Sequence, residues 1–143
     1  MKRIVSIALA AVLALTCCFG SAFANDEIMP LSSPTLMGHQ VTMLPGNISG
    51  ELRISYTVNA KRSADEVGIS SIEIYRSTGA YVETIYGTTD NGLVRTSAVK
   101  HMATYSYTGA ESGEFYYAKV TVYATIDGVT DSETITTATV EAA

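Results

Sequence analysis

The sequence predicts an all-β protein, an antiparallel β-sandwich of about seven strands. Apolar and polar residues alternate with a period of two over most of the chain after residue 38, and helical spacing of apolar residues is never sustained. Turn signals that contain Gly, Asn or Asp recur at short intervals between these segments, as in sandwich domains. Ser and Thr are abundant, and both suit strand faces that contact water.

The first 24 residues have the order of a secretory signal peptide. Two basic residues precede an apolar run over residues 4–15, and Ala22-Phe23-Ala24 supplies small residues at the expected cleavage position. The run is shorter than the roughly 20 residues that a membrane-spanning helix needs. We therefore expect a secreted, extracellular protein that is cleaved after Ala24, with no membrane span in the mature chain.

Both cysteines of the chain, Cys17 and Cys18, lie within this predicted signal peptide. They offer an alternative localisation, a lipid anchor at the cell surface through Cys17 or Cys18. Residues 25–143 contain no cysteine, which excludes a disulfide framework, a thiol nucleophile and a thiolate-bound metal in that part of the chain.

The charge of the chain argues against a nucleic-acid partner. Its formal net charge is -5, from 14 acidic and 9 basic residues, and the basic residues outside the signal peptide are scattered. Binding to nucleic acid depends on clustered Lys and Arg that displace counterions. We therefore expect no nucleic-acid partner.

The first predicted elements follow the signal peptide in order. Residues 25–38 carry two prolines and no clear period, which predicts an extended leader before a β-sandwich domain over residues 39–143. Alternation over residues 52–59 and again over 72–75 predicts two strands with one buried and one wet face. Ser77-Thr78-Gly79 then predicts a hairpin turn into a strand over residues 81–86.

The second half of the chain continues the same pattern. Asp90-Asn91-Gly92 predicts a turn into strands near 93–96 and 101–107, and a polar loop follows at 109–113. The clearest strand runs from Tyr116 to Ile126, with strict alternation of its side chains. Asp127-Gly128 then predicts a reversal into a last strand near residues 134–140.

Three segments of the sequence resemble strands of a fibronectin type III or immunoglobulin-like module. Glu51-Leu52-Arg53-Ile54-Ser55-Tyr56 is similar to the second strand, which puts Tyr56 at the usual buried tryptophan position. Residues 72–79 resemble the third strand and its turn. Residues 114–124 are similar to the sixth strand, and the resemblance implies that Tyr116 is a corner tyrosine whose hydroxyl bonds a nearby backbone group.

The complete layout also resembles a group of small secreted single-domain proteins of unknown function from Gram-positive bacteria. Its parts are a signal peptide, a short leader and one sandwich that ends in Tyr-x-Ala-x-Val-x-Val-Tyr-Ala and a Gly-Val-Thr-Asp-Ser turn. This resemblance implies a secreted bacterial protein and carries no assigned activity.

Residues that could support catalysis are few. His39 and His101 are the two imidazoles, and neither lies in a spacing typical of metal ligands or of a base beside a carboxylate. We interpret His101 as an ordinary strand-end residue. The segment Gly109-Ala110-Glu111-Ser112-Gly113 lacks the spacing of a serine nucleophile motif, and Asp65 with Glu66 is predicted to lie in a solvated loop. We expect no enzymatic activity and no cofactor.

One weak metal candidate lies around the Asp127-Gly128 turn. Asp127, Asp131 and Glu133 are close in sequence, and three converging carboxylates could hold calcium. Their spacing lacks the alternating acidic pattern of a dedicated calcium loop. A solvated hairpin tip is the simpler interpretation.

Tyrosines form the candidate binding site. If Ile72, Ile74, Tyr116 and Val120 point into the core, then Tyr75, Tyr117 and Tyr123 point outward on strands that are neighbours in this fold. Exposed tyrosines can stack on sugar rings or anchor a protein partner. The alternative is that these tyrosines only form cross-strand pairs within the sheet.

The leading hypothesis is a secreted, non-enzymatic sandwich that binds an unknown protein or glycan of the cell envelope or extracellular space through the tyrosine face. A second hypothesis is a structural or self-assembling envelope protein, in which the leader adds as a strand to a neighbouring copy. A hydrolase is the third and weakest hypothesis.

Overall fold

The structure is a computed structural model of the 143-residue chain and describes residues 33–143. Within that range the backbone forms seven strands, joined in one antiparallel sheet, and no helix. The prediction of an all-β antiparallel fold with about seven strands is thereby confirmed. The strands are β1 Leu36–Pro45, β2 Leu52–Arg76, β3 Tyr81–Tyr86, β4 Val94–Tyr107, β5 Phe115–Ile126, β6 Val129–Thr136 and β7 Val140–Glu141. The predicted signal peptide over residues 1–24, with Cys17 and Cys18, and the predicted leader up to residue 32 lie outside the described residues.

Strand β2 is the centre of the sheet. Its N-terminal half pairs with β1 on one edge and with β4 on the other. Its C-terminal half pairs with β5 on one edge and β3 on the other. Strand β5 then pairs with β6 along most of its length and with β7 at its start. One strand of 25 residues therefore connects every other strand, directly or through β5.

A bend in β2 curls the sheet into a half-barrel. The pairing with β4 shifts register between Asn59 and Ala64, and Gly68 adopts a φ of +155°. The amide of Ile69 donates to the carbonyl of Leu93 at 2.9 Å, which draws the chain before β4 close to the bend. Backbone pairing continues through this region, so the sheet curves without breaking.

The bend corrects one expectation from the sequence. The alternation at 52–59 and 72–75 predicts two strands with a solvated loop at Asp65 and Glu66. Both residues lie exposed within the continuous β2, so the loop prediction is wrong. The physical reason is that residues 64–69 stay paired with β4 or β5 although their side chains do not alternate regularly.

The two-layer sandwich is a finer statement than this topology supports. A fibronectin type III or immunoglobulin-like sandwich packs two antiparallel sheets face to face. Here the seven strands belong to one curled sheet whose concave side holds the core. Assignment to that fold remains a prediction.

The core is built from the inward residues of β2 and β5. Alternate residues of both strands are fully or almost fully buried, as the sequence pattern of each strand predicts. Each buried Val, Leu or Ile contributes about 1.5–3 kcal/mol relative to an exposed one. Because residues 33–143 contain no cysteine, this packing replaces disulfides as the source of stability. The largest fully buried side chains include Leu52, Ile54, Ile69, Ile72, Ile74, Tyr116, Val120 and Val122.

Both short hairpins that the sequence predicts are present. Ser77-Thr78-Gly79 connects β2 to β3, and Asp127-Gly128 connects β5 to β6. Asp127 and Gly128 have φ values of 52° and 76°. Positive φ at both central residues defines the type I′ turn, whose twist matches that of the strands it joins.

The first described residues are attached to the sheet. Leu36 and Gly38, which fall within the predicted leader over residues 25–38, belong to β1 and pair with β2. Just before them, the hydroxyl of Ser33 donates to Asp131 Oδ2 at 2.5 Å, and the amide of Thr35 donates to the same atom at 2.8 Å. The ordered sheet therefore begins a few residues before residue 39.

Candidate functional site

Three tyrosines lie side by side on the outer, convex face of the sheet. Tyr75 of β2 pairs with Tyr81 of β3 on one edge and with Tyr117 of β5 on the other. The ring centroids of Tyr75 and Tyr117 are 5.3 Å apart, and those of Tyr75 and Tyr81 are 5.8 Å apart. We call Tyr75, Tyr81 and Tyr117 the aromatic row.

Alternation along the strands places these side chains outside. Tyr116 and Ala118 of β5 are buried, so Tyr117 between them points away from the core. Ile74 of β2 is fully buried, which directs Tyr75 outward in the same way. Phe115, two residues before Tyr117, shares its face and is 47% exposed. The sequence thus supplies four aromatic residues to one end of the outer face.

The rings of the row pack against one another. The planes of Tyr75 and Tyr117 differ by 8°, which is a stacked pair, whereas Tyr81 meets Tyr75 at 73° in an edge-to-face contact. The ammonium of Lys119 lies 4.9 Å from the Tyr75 ring centroid. Tyr75 is therefore the enclosed centre of the row. Tyr81, which is 59% exposed, and Phe115 offer the more accessible aromatic surface.

A carboxylate fixes the hydroxyl of the central tyrosine. Tyr75 donates its hydroxyl hydrogen to Glu73 Oε2 at 2.7 Å. This hydrogen bond, together with partial burial, raises the pKa of Tyr75, so the row carries no phenolate charge near neutral pH. Lys119 and Glu73 pair directly across β5 and β2, so opposite charges flank the row.

Tyr123 lies apart from the other two predicted site residues. It is on the same face of β5 but six residues beyond Tyr117, a distance of about 20 Å along a strand. Its hydroxyl donates to Glu66 Oε2 at 2.9 Å, and burial followed by this bond raises its pKa. The structure brings Tyr75 and Tyr117 together and leaves Tyr123 outside their contact.

Sequence reasoning missed Tyr81 and Phe115. Tyr81 is the first residue of β3, and the ladder shifts register between Ile74 and Tyr75, which brings Tyr81 opposite Tyr75. A period-two count from the hairpin turn does not show that shift. Phe115 is predictable in principle, because it lies two residues before Tyr117 on the same strand.

His101 occupies a different environment from the one we expected. It lies in the middle of β4 and is 8% exposed, so the interpretation as a strand-end residue is wrong. Its Nε2 atom is 2.8 Å from the carbonyl of Gly92 and 2.9 Å from the Tyr56 hydroxyl. Because a carbonyl oxygen can only accept, the contact with Gly92 requires the hydrogen on Nε2. His101 is thus part of a buried polar cluster.

The other imidazole contacts a carboxylate at the surface. His39 Nε2 lies 3.7 Å from Glu133 Oε1. Ser33 lines the same shallow cavity of about 300 Å³, but its hydroxyl donates to Asp131. No hydrogen bond from a serine hydroxyl to either histidine is present among residues 33–143. The cluster therefore lacks the contact between nucleophile and base that a serine hydrolase uses.

The three carboxylates of the weak metal candidate do not converge. Asp127 pairs with Arg62, Asp131 accepts from Ser33 and Thr35, and Glu133 faces His39. In the described part of the chain, no group of three or more His, Cys, Asp or Glu side chains is arranged to hold a metal ion. The hydrogen bonds from Ser33 and Thr35 lower the pKa of Asp131.

The described residues contain no helix long and apolar enough to cross a membrane. Comparison of the chain with protein-family models, with characterised proteins and with solved structures finds no match.

Proposed function

We propose that this is a secreted, non-enzymatic protein that binds an extracellular or cell-envelope partner through the aromatic row. The observation that carries the proposal is the contact of Tyr75, Tyr81 and Tyr117 across three neighbouring strands on one outward face. Tyr and Phe supply large, rigid contact area, and tyrosine adds a polar tip. A few such residues carry most of the binding energy at protein interfaces.

The localisation rests on the sequence. The signal peptide over residues 1–24 supports export, and lipid attachment through Cys17 or Cys18 is the alternative. Intact mass of the exported protein separates the two, because cleavage after Ala24 leaves an unmodified chain that starts at Asn25. An added lipid mass on a cysteine would replace free secretion with anchoring.

The scaffold is proposed to be of the fibronectin type III or immunoglobulin-like kind found in small secreted proteins of Gram-positive bacteria. Two contacts support this resemblance. The Tyr116 hydroxyl accepts a hydrogen bond from the backbone amide of Glu111 at 2.9 Å, as a corner tyrosine would. Tyr56, at the usual tryptophan position, is buried in the core. An experimental structure with two separate sheets would establish the assignment.

The test of binding removes the row. A variant with Tyr75→Ser, Tyr81→Ser and Tyr117→Ser is compared with the natural protein for binding to peptidoglycan, polysaccharides and surface proteins immobilised separately. We expect at least about tenfold weaker binding to the partner, which corresponds to about 1.4 kcal/mol. Equal binding by the two proteins would contradict the proposal.

The matched control is Tyr86→Ser. Tyr86 is an exposed tyrosine on β3 that pairs with Ser71, two rungs away from the aromatic row. We expect this variant to bind as the natural protein does. Far-UV circular dichroism of the triple variant shows whether the sheet is retained, since Tyr75 also packs against its neighbours.

Self-assembly by strand addition is a second candidate function, favoured by two half-paired strands. Among the described residues, β1 pairs only with β2, and β6 pairs with no strand other than β5. Light scattering at high concentration tests it on the mature chain and on a chain without residues 25–32. The deletion ends there because Leu36 and Gly38 pair with β2. Two monomeric samples would exclude assembly through the leader.

A further inference from the structure

Hydroxyl groups continue the outer face beyond the aromatic row. Thr121 of β5 and Thr134 of β6 lie opposite each other, with their hydroxyl oxygens 2.9 Å apart. Thr125 and Thr130 form a second pair of the same kind at 2.8 Å. We call Thr121, Thr125, Thr130 and Thr134 the hydroxyl ladder. It follows the aromatic row along β5.

The charged side chains on this part of the face are already in contact with tyrosines. Glu73 accepts from Tyr75, Glu66 accepts from Tyr123, and Lys119 lies over the Tyr75 ring. Lys119 is the single basic side chain on the outer faces of β2, β5 and β6 between residues 66 and 75 of β2. The surface between the row and the end of the ladder therefore offers hydroxyls and aromatic rings with little free charge.

These properties discriminate between classes of ligand. An anionic polymer needs clustered basic residues, and one lysine does not form a cluster. A neutral polyhydroxylated chain matches better, because paired threonine hydroxyls keep acceptor capacity for sugar hydroxyls and the tyrosines provide apolar contact.

We propose that the ligand of this face is a neutral glycan that lies along β5, from the aromatic row to the hydroxyl ladder. This inference rests on the proposed function, because the row forms one end of the surface. Tyr117 and Thr125 are eight residues apart on one strand, so the contact surface is about 26 Å long. That length suits an extended chain of sugars better than a single one.

The experiment uses the mature protein and four immobilised or insoluble probes. Cellulose and chitin are neutral glycans, alginate is an anionic glycan, and collagen is an extracellular protein. The ladder variant is Thr121→Val with Thr134→Val, which removes both hydroxyls and nearly keeps side-chain shape. The row variant is the triple Tyr→Ser protein. Circular dichroism checks that both variants keep the fold.

A matched control exists on the opposite face of the molecule. Ser55 of β2 and Thr104 of β4 form an exposed hydroxyl pair with an oxygen distance of 2.9 Å. The variant Ser55→Ala with Thr104→Val removes a comparable pair outside the proposed surface. We expect its binding to equal that of the natural protein.

We expect retention on cellulose or chitin, about three- to tenfold weaker for the ladder variant and at least about tenfold weaker for the row variant. Absence of retention on both neutral glycans, preference for alginate, or unchanged binding by the ladder variant would overturn the glycan assignment. If collagen alone is bound, and the row variant loses it, the glycan assignment fails while the proposed function stands. If a neutral glycan is bound and only the ladder variant loses it, the aromatic row is not the site.

Discussion

At the scale of single residues, the best-defined polar feature is the buried cluster of Tyr56, His101 and Gly92. The Tyr56 hydroxyl donates to the Gly92 carbonyl at 2.9 Å, and His101 contacts both groups. The cluster joins the turn before β4 to the core side of β2. Desolvation raises the pKa of Tyr56 to about 12, so the phenol stays protonated across the physiological range.

Tyr56→Phe should lower the free energy of unfolding by about 1–3 kcal/mol. The reason is that Gly92 loses a donor at a buried position, where an unmade hydrogen bond is costly. Urea denaturation measures the change. Tyr81→Phe is the control, because its hydroxyl bonds Thr84 at the exposed surface, and we expect a change of less than about 0.5 kcal/mol. Equal effects of the two substitutions would show that burial of the cluster is unimportant.

Asp131 makes the attachment of the N-terminal segment sensitive to acid. Hydrogen bonds from Ser33 and Thr35 hold the pKa of Asp131 below its usual range. A carboxyl whose folded pKa is depressed stabilises the fold above its unfolded pKa of about 3.9, and this contribution is lost as pH falls through the folded pKa. Between pH 5 and pH 2, the natural protein should therefore lose more stability than Asp131→Asn. Parallel curves for both proteins would exclude this role.

At the scale of elements, the contrast between β5 and β2 is informative. The alternation of β5 is strict, and its bounds and buried face follow from the sequence. Strand β2 is as long as two strands, and its pattern becomes irregular at residues 61–66 and 67–69. Local periodicity therefore predicts the ends of β2 correctly and misses its continuity, because backbone pairing with β4 and β5 carries it through the bend.

Gly68→Ala should destabilise the bend of β2 by about 2 kcal/mol or more. Gly68 has a φ of +155°, and an added Cβ would overlap the carbonyl oxygen of Leu93. Thermal unfolding compares this variant with Gly38→Ala, where an added Cβ meets no atom within 4 Å. We expect the control to change stability by less than about 0.5 kcal/mol. Similar melting temperatures for the two variants would contradict the close approach at Leu93.

At the scale of the whole molecule, the curled sheet brings β3 and β4 near each other without a backbone ladder among the described pairings. Tyr107 at the end of β4 reaches Glu83 of β3 there. Burial, then the charge of Glu83 and a hydrogen bond to it, raise the pKa of Tyr107 to about 12. A side-chain contact thus helps to hold the two edges together.

This contact predicts alkaline sensitivity. A tyrosine whose folded pKa is raised stabilises the fold below its unfolded pKa of about 10, and the contribution is lost as pH rises toward 12. Unfolding free energy measured from pH 9 to pH 12 should fall less steeply for Tyr107→Phe than for the natural protein. An equally steep fall would show that Tyr107 ionises alike in both states.

The sequence by itself determined the all-β class, the two short hairpins and the outward direction of Tyr75 and Tyr117. These features depend on neighbours in the chain, because alternation and turn chemistry act over a few residues. Only the tertiary structure decided that Tyr81 completes the aromatic row, that Tyr123 lies apart, that His101 is buried and that one strand spans the sheet. These features depend on register and curvature, which are set by pairing between distant segments. A one-residue register shift at Tyr75 is enough to determine which residues form the candidate site.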